Sequence, residues 1–236
     1  MVYVRLLILA LLLSCATNTH ASCVILLHGL ARTNASMNVL ESALVKNGFL
    51  VINDGYPSRE HSIEELATLA IEPALEKCPE ESKVNFVTHS LGGILIRQYL
   101  STHEINNLDR VVMLGPPNKG SQVVDTLGDI PGFHFLNGDA GLQLGTGELS
   151  IPSSLGDANF DVGIIAGTRS INLILSSIIP NTDDGKVSVE NTKLEGMNDH
   201  IEMAVTHTFM MKNKHVVAQV IHYLNTGSFE RDDESS

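Results

Sequence analysis

Three side chains far apart in sequence carry the chemistry this chain offers: Ser90, Asp184 and His207. Ser90 lies in Lys83-Val84-Asn85-Phe86-Val87-Thr88-His89-Ser90-Leu91-Gly92-Gly93-Ile94-Leu95, where an apolar strand runs into a sharp turn and a helix leaves it. That is the layout of a nucleophile elbow, in which the turn exposes a hydroxyl for acyl transfer. Gly92 and Gly93 let two backbones approach closely. Thr88 stands where the G-x-S-x-G pattern has its first glycine, a bulkier substitute at a crowded position. The competing reading of Ser90 is a plain helix cap.

A nucleophilic serine needs a base to take its proton and an acid to orient that base. For the acid, Asp184 sits in Asp183-Asp184-Gly185-Lys186-Val187, a tight turn able to project a carboxylate, although Asp-Gly pairs also form ordinary Asx turns. Asp183 is the rival, with Asp199 and Asp161 behind. For the base, His207 follows Met203-Ala204-Val205 and belongs in a loop just past a strand, whereas His200 falls at that strand's start, away from the active edge. His89 should point away from its neighbour Ser90, and His215 and His222 belong to a closing helix. Backbone N–H groups of Leu30 and Leu91 are the natural donors to a developing oxyanion. Arg32 reads equally well as a loop-fixing or substrate-contacting residue and as a surface arginine. No metal-ligand spacing and no phosphate-cradling loop stands out, so no cofactor is expected.

The elements that position these residues alternate. Cys23 to Leu27, Phe49 to Ile52, Val84 to Val87, Arg110 to Leu114, Asp161 to Ala166 and His200 to Thr206 read as strands. Ala35 to Lys46, Ser62 to Lys77 and a segment ending at Leu224 read as helices, the second opened by a Ser62/Glu65 capping box and bent or split at Pro73. Such alternation predicts a three-layer α/β sandwich whose sheet of about six strands is mostly parallel, with a minimal cap. Gly132 to Leu142 and Ile171 to Ile179 are the stretches able to shape a substrate groove. Residues 22–226 form the domain, and 227–236 read as an acidic disordered tail.

Ahead of the domain, Arg5 is followed by the apolar run Leu6 to Leu13 and by a small-residue site at Ala21. This is the pattern of a secretory signal peptide over residues 1–21, too short to span a bilayer, which takes ~20 residues. A cut after Ala16 and a lipoprotein anchored through Cys15 are the alternatives. The chain holds 15 basic and 27 acidic residues, and loss of the leader removes one of the basic ones. An acidic exported protein is a poor partner for nucleic acid or anionic membranes.

Taken together, Leu26-Leu27-His28-Gly29-Leu30, the Ser90 elbow, Asp184-Gly185-Lys186-Val187 and Val205-Thr206-His207 resemble the α/β-hydrolase superfamily, especially small bacterial lipases and esterases. Gly115-Pro116-Pro117-Asn118-Lys119-Gly120-Ser121 is similar to the proline-containing loop of those lipases. The resemblance implies cofactor-free hydrolysis of a carboxylester, with a small-molecule or lipid ester as partner and transient contact with a lipid surface. A thioesterase, amidase or acyltransferase using the same residues, and a catalytically silent binder, are the other readings. In the hydrolase layout the strands beginning near Cys23 and following Cys78 are parallel neighbours, so a Cys23–Cys78 disulfide is expected at the sheet edge opposite the active site.

Overall fold

A computed structural model describes residues 21–231; the expected leader up to His20, with Cys15, lies outside them. Six strands form one sheet: β1 (Cys23–Leu27), β2 (Leu50–Ile52), β3 (Val84–His89), β4 (Leu108–Leu114), β5 (Val162–Gly167) and β6 (Asp199–Met203). Their order is β2-β1-β3-β4-β5-β6, and every pairing is parallel. The helices are α1 (Asn38–Lys46), α2 (Ile63–Leu75), α3 (Leu91–Leu100), α4 (Gln122–Leu127), α5 (Phe133–Leu142), α6 (Ile151–Ser154), α7 (Leu173–Ser176), α8 (Val189–Thr192) and α9 (Lys214–Thr226).

The unbroken apolar run of β1 serves two cores, because successive side chains of a strand point to opposite faces. Cys23, Ile25 and Leu27 pack with Phe86, Val111 and Ile164 under α2 and α3. Val24 and Leu26 pack with Val87, Val112 and Ile165 under α1 and α9. A parallel sheet covered on both faces is the three-layer sandwich that the pattern predicts.

Three expectations need correction. Helix α2 runs through Pro73 without a split: the proline has no N–H for the Leu69 carbonyl one turn back, and the packing of Ile71 and Ala74 into the core holds the turn. Strand β6 ends at Met203 instead of Thr206, because the Val205 N–H turns back onto the Met203 carbonyl at 2.7 Å. The segment from Gly227 is ordered as far as Arg231: Phe229 is buried against Tyr223, and Arg231 pairs with Asp199. Residues 232–236 lie outside the described residues.

Cys23 and Cys78 are joined in a disulfide across a separation of 55 residues. Cys23 pairs in register with Val84 at the start of β3, the end remote from Ser90. No helix among the described residues is long and apolar enough to cross a membrane.

Candidate active site

Ser90 occupies the single residue between β3 and α3, with φ 53° and ψ −117°. A non-glycine residue at positive φ is strained and persists only where its surroundings fix it. Here the Ser90 N–H donates to the Leu114 carbonyl at 2.9 Å, and the Ser90 carbonyl accepts from Gly93 N–H at 2.9 Å. Thr88 is fully buried, and what glycine at position 93 spares is a contact with Pro116: a Cβ there would lie 3.0 Å from Pro116 Cβ but at an ordinary 3.4 Å from Thr88 Oγ1.

The strand-end loops bring the other two side chains to this turn. His207 Nε2 lies 3.0 Å from Ser90 Oγ, and His207 Nδ1 lies 2.7 Å from Asp184 Oδ2. A carboxylate can only accept, so Nδ1 carries the imidazole proton and Nε2 is left to accept from the serine hydroxyl. Asp184 is buried, and its other oxygen accepts the N–H groups of Lys186 at 3.0 Å and Val187 at 2.9 Å. Its carbonyl also accepts the His207 N–H at 2.9 Å, which ties the acid and base loops together.

The rival residues are occupied elsewhere. Asp183 accepts from Ser176 Oγ and Gly185 N–H, both at 2.7 Å, and so ties α7 to the Asp184 turn. His200 faces Thr192 Oγ1 at 3.0 Å, Asp199 is engaged by Arg231, and Asp161 accepts from the Tyr223 hydroxyl.

The loop after β1 reaches Ser90 from the other side. His28 stacks on Tyr56 at 3.9 Å, its Nδ1–H donates to the Gly29 carbonyl, and the Tyr56 hydroxyl donates to the His28 carbonyl. The next amides are committed: Ala31 N–H donates to Ser58 Oγ at 3.1 Å and Arg32 N–H to the Gly29 carbonyl at 3.3 Å. Leu30 N–H makes no hydrogen bond among the described residues, and Leu91 N–H is the first of its helix, where no intrahelical acceptor exists. Both residues therefore hold free donors beside Ser90.

A cavity of about 240 Å³ opens over Ser90 and His207. Its walls are chiefly apolar, with Val123, Val124 and Leu127 from the α4 region, Phe133 from α5 and Leu175 from α7. The two stretches expected to shape a groove both reach it. Among the described residues no group of His, Cys, Asp and Glu is placed to hold a metal ion.

Two contributors escape a reading of the sequence. Gly115 closes β4 at φ +53°, and a Cβ there would come within 3.0 Å of Asp184 Oδ2 and 3.1 Å of His207 Nδ1. The glycine at the strand end, before two prolines, was its available signal. His89 is the other: its ring is buried beside His207, and Nε2 lies 3.0 Å from the His207 carbonyl. Burial, then the neighbouring His207, holds His89 well below the usual histidine pKa, so it is neutral and braces the loop.

No protein-family model matches the chain, and no curated protein matches it in sequence. Solved structures do match. Lipase BlEst2 from Bacillus licheniformis in its mature form superposes with a TM-score of 0.67 at 19% identity, over 88% of this chain and 92% of that one. The fold is that of α/β-hydrolase lipases and esterases. The metagenomic carboxyl esterase MGS0156 shares this α/β-hydrolase fold with a TM-score of 0.61 at 15% identity, over 80% of this chain and 65% of that one. Phospholipase PlaB from Legionella pneumophila aligns with a TM-score of 0.59 at 19% identity, over 73% of this chain and 46% of that one, so the present hydrolase fold spans less than half of its length.

Proposed function

We propose that the protein is an exported serine hydrolase of carboxylesters, with Ser90 as nucleophile, His207 as general base and acid, and Asp184 as the group that orients His207. The observation that carries this reading is the continuous chain from Ser90 Oγ through the imidazole to Asp184, at 3.0 and 2.7 Å. Ser90 Oγ attacks the ester carbonyl carbon while its proton passes to His207 Nε2, and Asp184 stabilises the imidazolium. The N–H groups of Leu30 and Leu91 receive the oxyanion. Collapse of the tetrahedral intermediate expels the alcohol, which takes the proton from His207, and leaves an acyl group on Ser90. Water then gives a proton to His207 and attacks the acyl carbon, and collapse of the second tetrahedral intermediate releases the acid as His207 returns that proton to Ser90 Oγ.

The apolar walls support an apolar acyl chain. Exposed Phe135 and Leu136 on α5, with Leu173 and Ile174 on α7, lie on the two helices that wall the cavity and favour transient contact with a lipid surface. Export is supported by the leader pattern and by the disulfide, a bond that persists in oxidising compartments.

The test is hydrolysis of p-nitrophenyl esters of graded chain length by the mature protein beside Ser90→Ala. Loss of the nucleophile is expected to lower turnover by roughly 10⁵ to 10⁶, and a fluorophosphonate should label the parent but not the variant. Equal turnover in both proteins would overturn the mechanism.

A further inference from the structure

The cavity over Ser90 differs in charge from the rest of the molecule. The chain carries 27 acidic and 15 basic residues, yet the residues lining this cavity include Arg32 and Lys186 and no aspartate or glutamate. Of the twelve other cations among the described residues seven are satisfied, and the remaining five, Lys46, Arg59, Arg169, Lys212 and Lys214, lie outside the cavity. Lys77, Lys83, Arg110, Lys119, Lys193 and Arg231 each have a carboxylate within reach, and the buried Arg97 guanidinium donates to the Asn118, Pro152 and Gly156 carbonyls. Among the described residues neither the Arg32 nor the Lys186 side chain has such a partner.

The main chain at both positions is fixed by the hydrogen bonds that build the site. Lys186 N–H donates to Asp184 Oδ1, and Arg32 N–H to the Gly29 carbonyl, so the two residues join the cavity wall from the acid turn and from the β1 loop. Lys186 is exposed overall, yet loss of hydration, followed by repulsion from Arg32, draws its amine below the ordinary lysine pKa, with Asp184 opposing. Two cations that repel each other, opposed only by the buried Asp184 carboxylate that His207 already engages, are an unfavourable arrangement that a bound anion relieves.

We propose that Arg32 and Lys186 form an anion subsite beside Ser90, so that the preferred substrate is an acyl ester bearing a phosphate or carboxylate next to its apolar chain. This rests on the reading of Ser90 as the nucleophile of an ester hydrolase. The anion lies either on the alcohol, as in a phosphorylated glycerolipid, or on the acyl chain, as in a half-ester of a dicarboxylic acid.

Two matched pairs distinguish the sources: 1-acylglycerol 3-phosphate against the same monoacylglycerol, and mono-4-nitrophenyl glutarate against 4-nitrophenyl valerate. For at least one pair kcat/KM should favour the anionic ester. That preference should fall about tenfold in Arg32→Gln and in Lys186→Gln, as loss of a charge-assisted hydrogen bond implies, and return in Arg32→Lys. Binding of octyl phosphate to the Ser90→Ala protein, measured by calorimetry beside octanol, reports on the subsite without turnover and should weaken by a similar factor in the same backgrounds. Unchanged preference and unchanged octyl phosphate affinity in both glutamine variants would overturn the subsite. Binding that depends on Arg32, in a protein that turns over no ester, would support the subsite and overturn the hydrolase reading instead.

Discussion

At the scale of single residues, two adjacent aspartates have separate tasks. Asp184 faces His207, whereas Asp183 ties α7 to the turn, so their asparagine variants should part company. Asp184→Asn permits the wrong imidazole tautomer and is expected to lower kcat by about 10³ to 10⁴. Asp183→Asn should leave kcat within a few fold and shift stability by about 1 kcal/mol, since an amide oxygen still accepts from Ser176 and Gly185. Steady-state kinetics and urea melts on both variants check this; equal losses of kcat would sink the assignment. Chain order with the turn at Gly185 pointed to Asp184, and the position past a strand to His207, but only geometry settles Asp184 against Asp183, because both precede the same glycine. His89 supplies a pH prediction. His28, His89 and His200 are all held below the usual value near 6.5, chiefly by burial, so the unfolded chain binds protons that the folded chain does not. Their contribution to stability is intact above pH 6.5 and declines as the pH falls below it. His89→Gln, whose amide can still donate to the His207 carbonyl, should remove up to about 1.4 kcal/mol per pH unit from that slope between about pH 6.5 and 5. An unchanged slope would mean that His89 is protonated in the folded protein.

At the scale of elements, the close approach of α3 to β1 decides whether the turn can hold Ser90. A Cβ on Gly92 would lie 2.5 Å from the Leu27 carbonyl oxygen and 2.9 Å from Leu27 Cβ. Backbone cannot yield as the tip of a side chain can, so Gly92→Ala must push α3 off the sheet. The expected cost is about 1–3 kcal/mol of stability, with kcat reduced because Ser90 moves with the helix. Urea unfolding with parallel kinetics measures both, and a variant as stable and active as the parent would show that the contact relaxes freely. Most elements were legible for the same steric reasons. The apolar run from Cys23 to Leu27, closed by His28-Gly29, suits a strand buried on both faces, and the Ser62/Glu65 box is present at the start of α2. What the sequence could not convey was how the stretch between β4 and β5 folds: α4, α5 and α6 are short, and α5 is broken at Gly138. Short helices packed around a cavity carry little periodicity, so tertiary contact determines them. Pro73 misled because core packing of Ile71 and Ala74 offsets the hydrogen bond that the proline removes.

At the scale of the whole molecule, the disulfide acts on the half of the sheet that carries the β1 loop. The bond joins the first residue of β1 to Cys78 beyond α2 and so closes a loop containing α1, β2 and the segment from His28 to Arg32. Closing 55 residues restricts the unfolded chain by about 4 kcal/mol in the chain-entropy model. For a domain of this size that corresponds to about 8–16 °C in Tm. Because Cys23 lies level with Val84 while Leu27 lies level with Thr88, the bond and Ser90 occupy opposite ends of the same pair of strands. Reduction should therefore lower stability without altering the turnover of molecules that remain folded. Thermal melts with and without reductant, beside a Cys23→Ser/Cys78→Ser double variant, separate the two effects. The parent should lose Tm on reduction, the double variant should start near that lower value and ignore the reductant, and both should keep the parent's kcat at 25 °C. A parent whose melting is indifferent to reductant would show that the cross-link contributes nothing to stability. A loss of kcat in the folded, reduced protein would show instead that the β1 loop depends on a constraint at the far end of its strand, and Leu30 would then be the donor to examine.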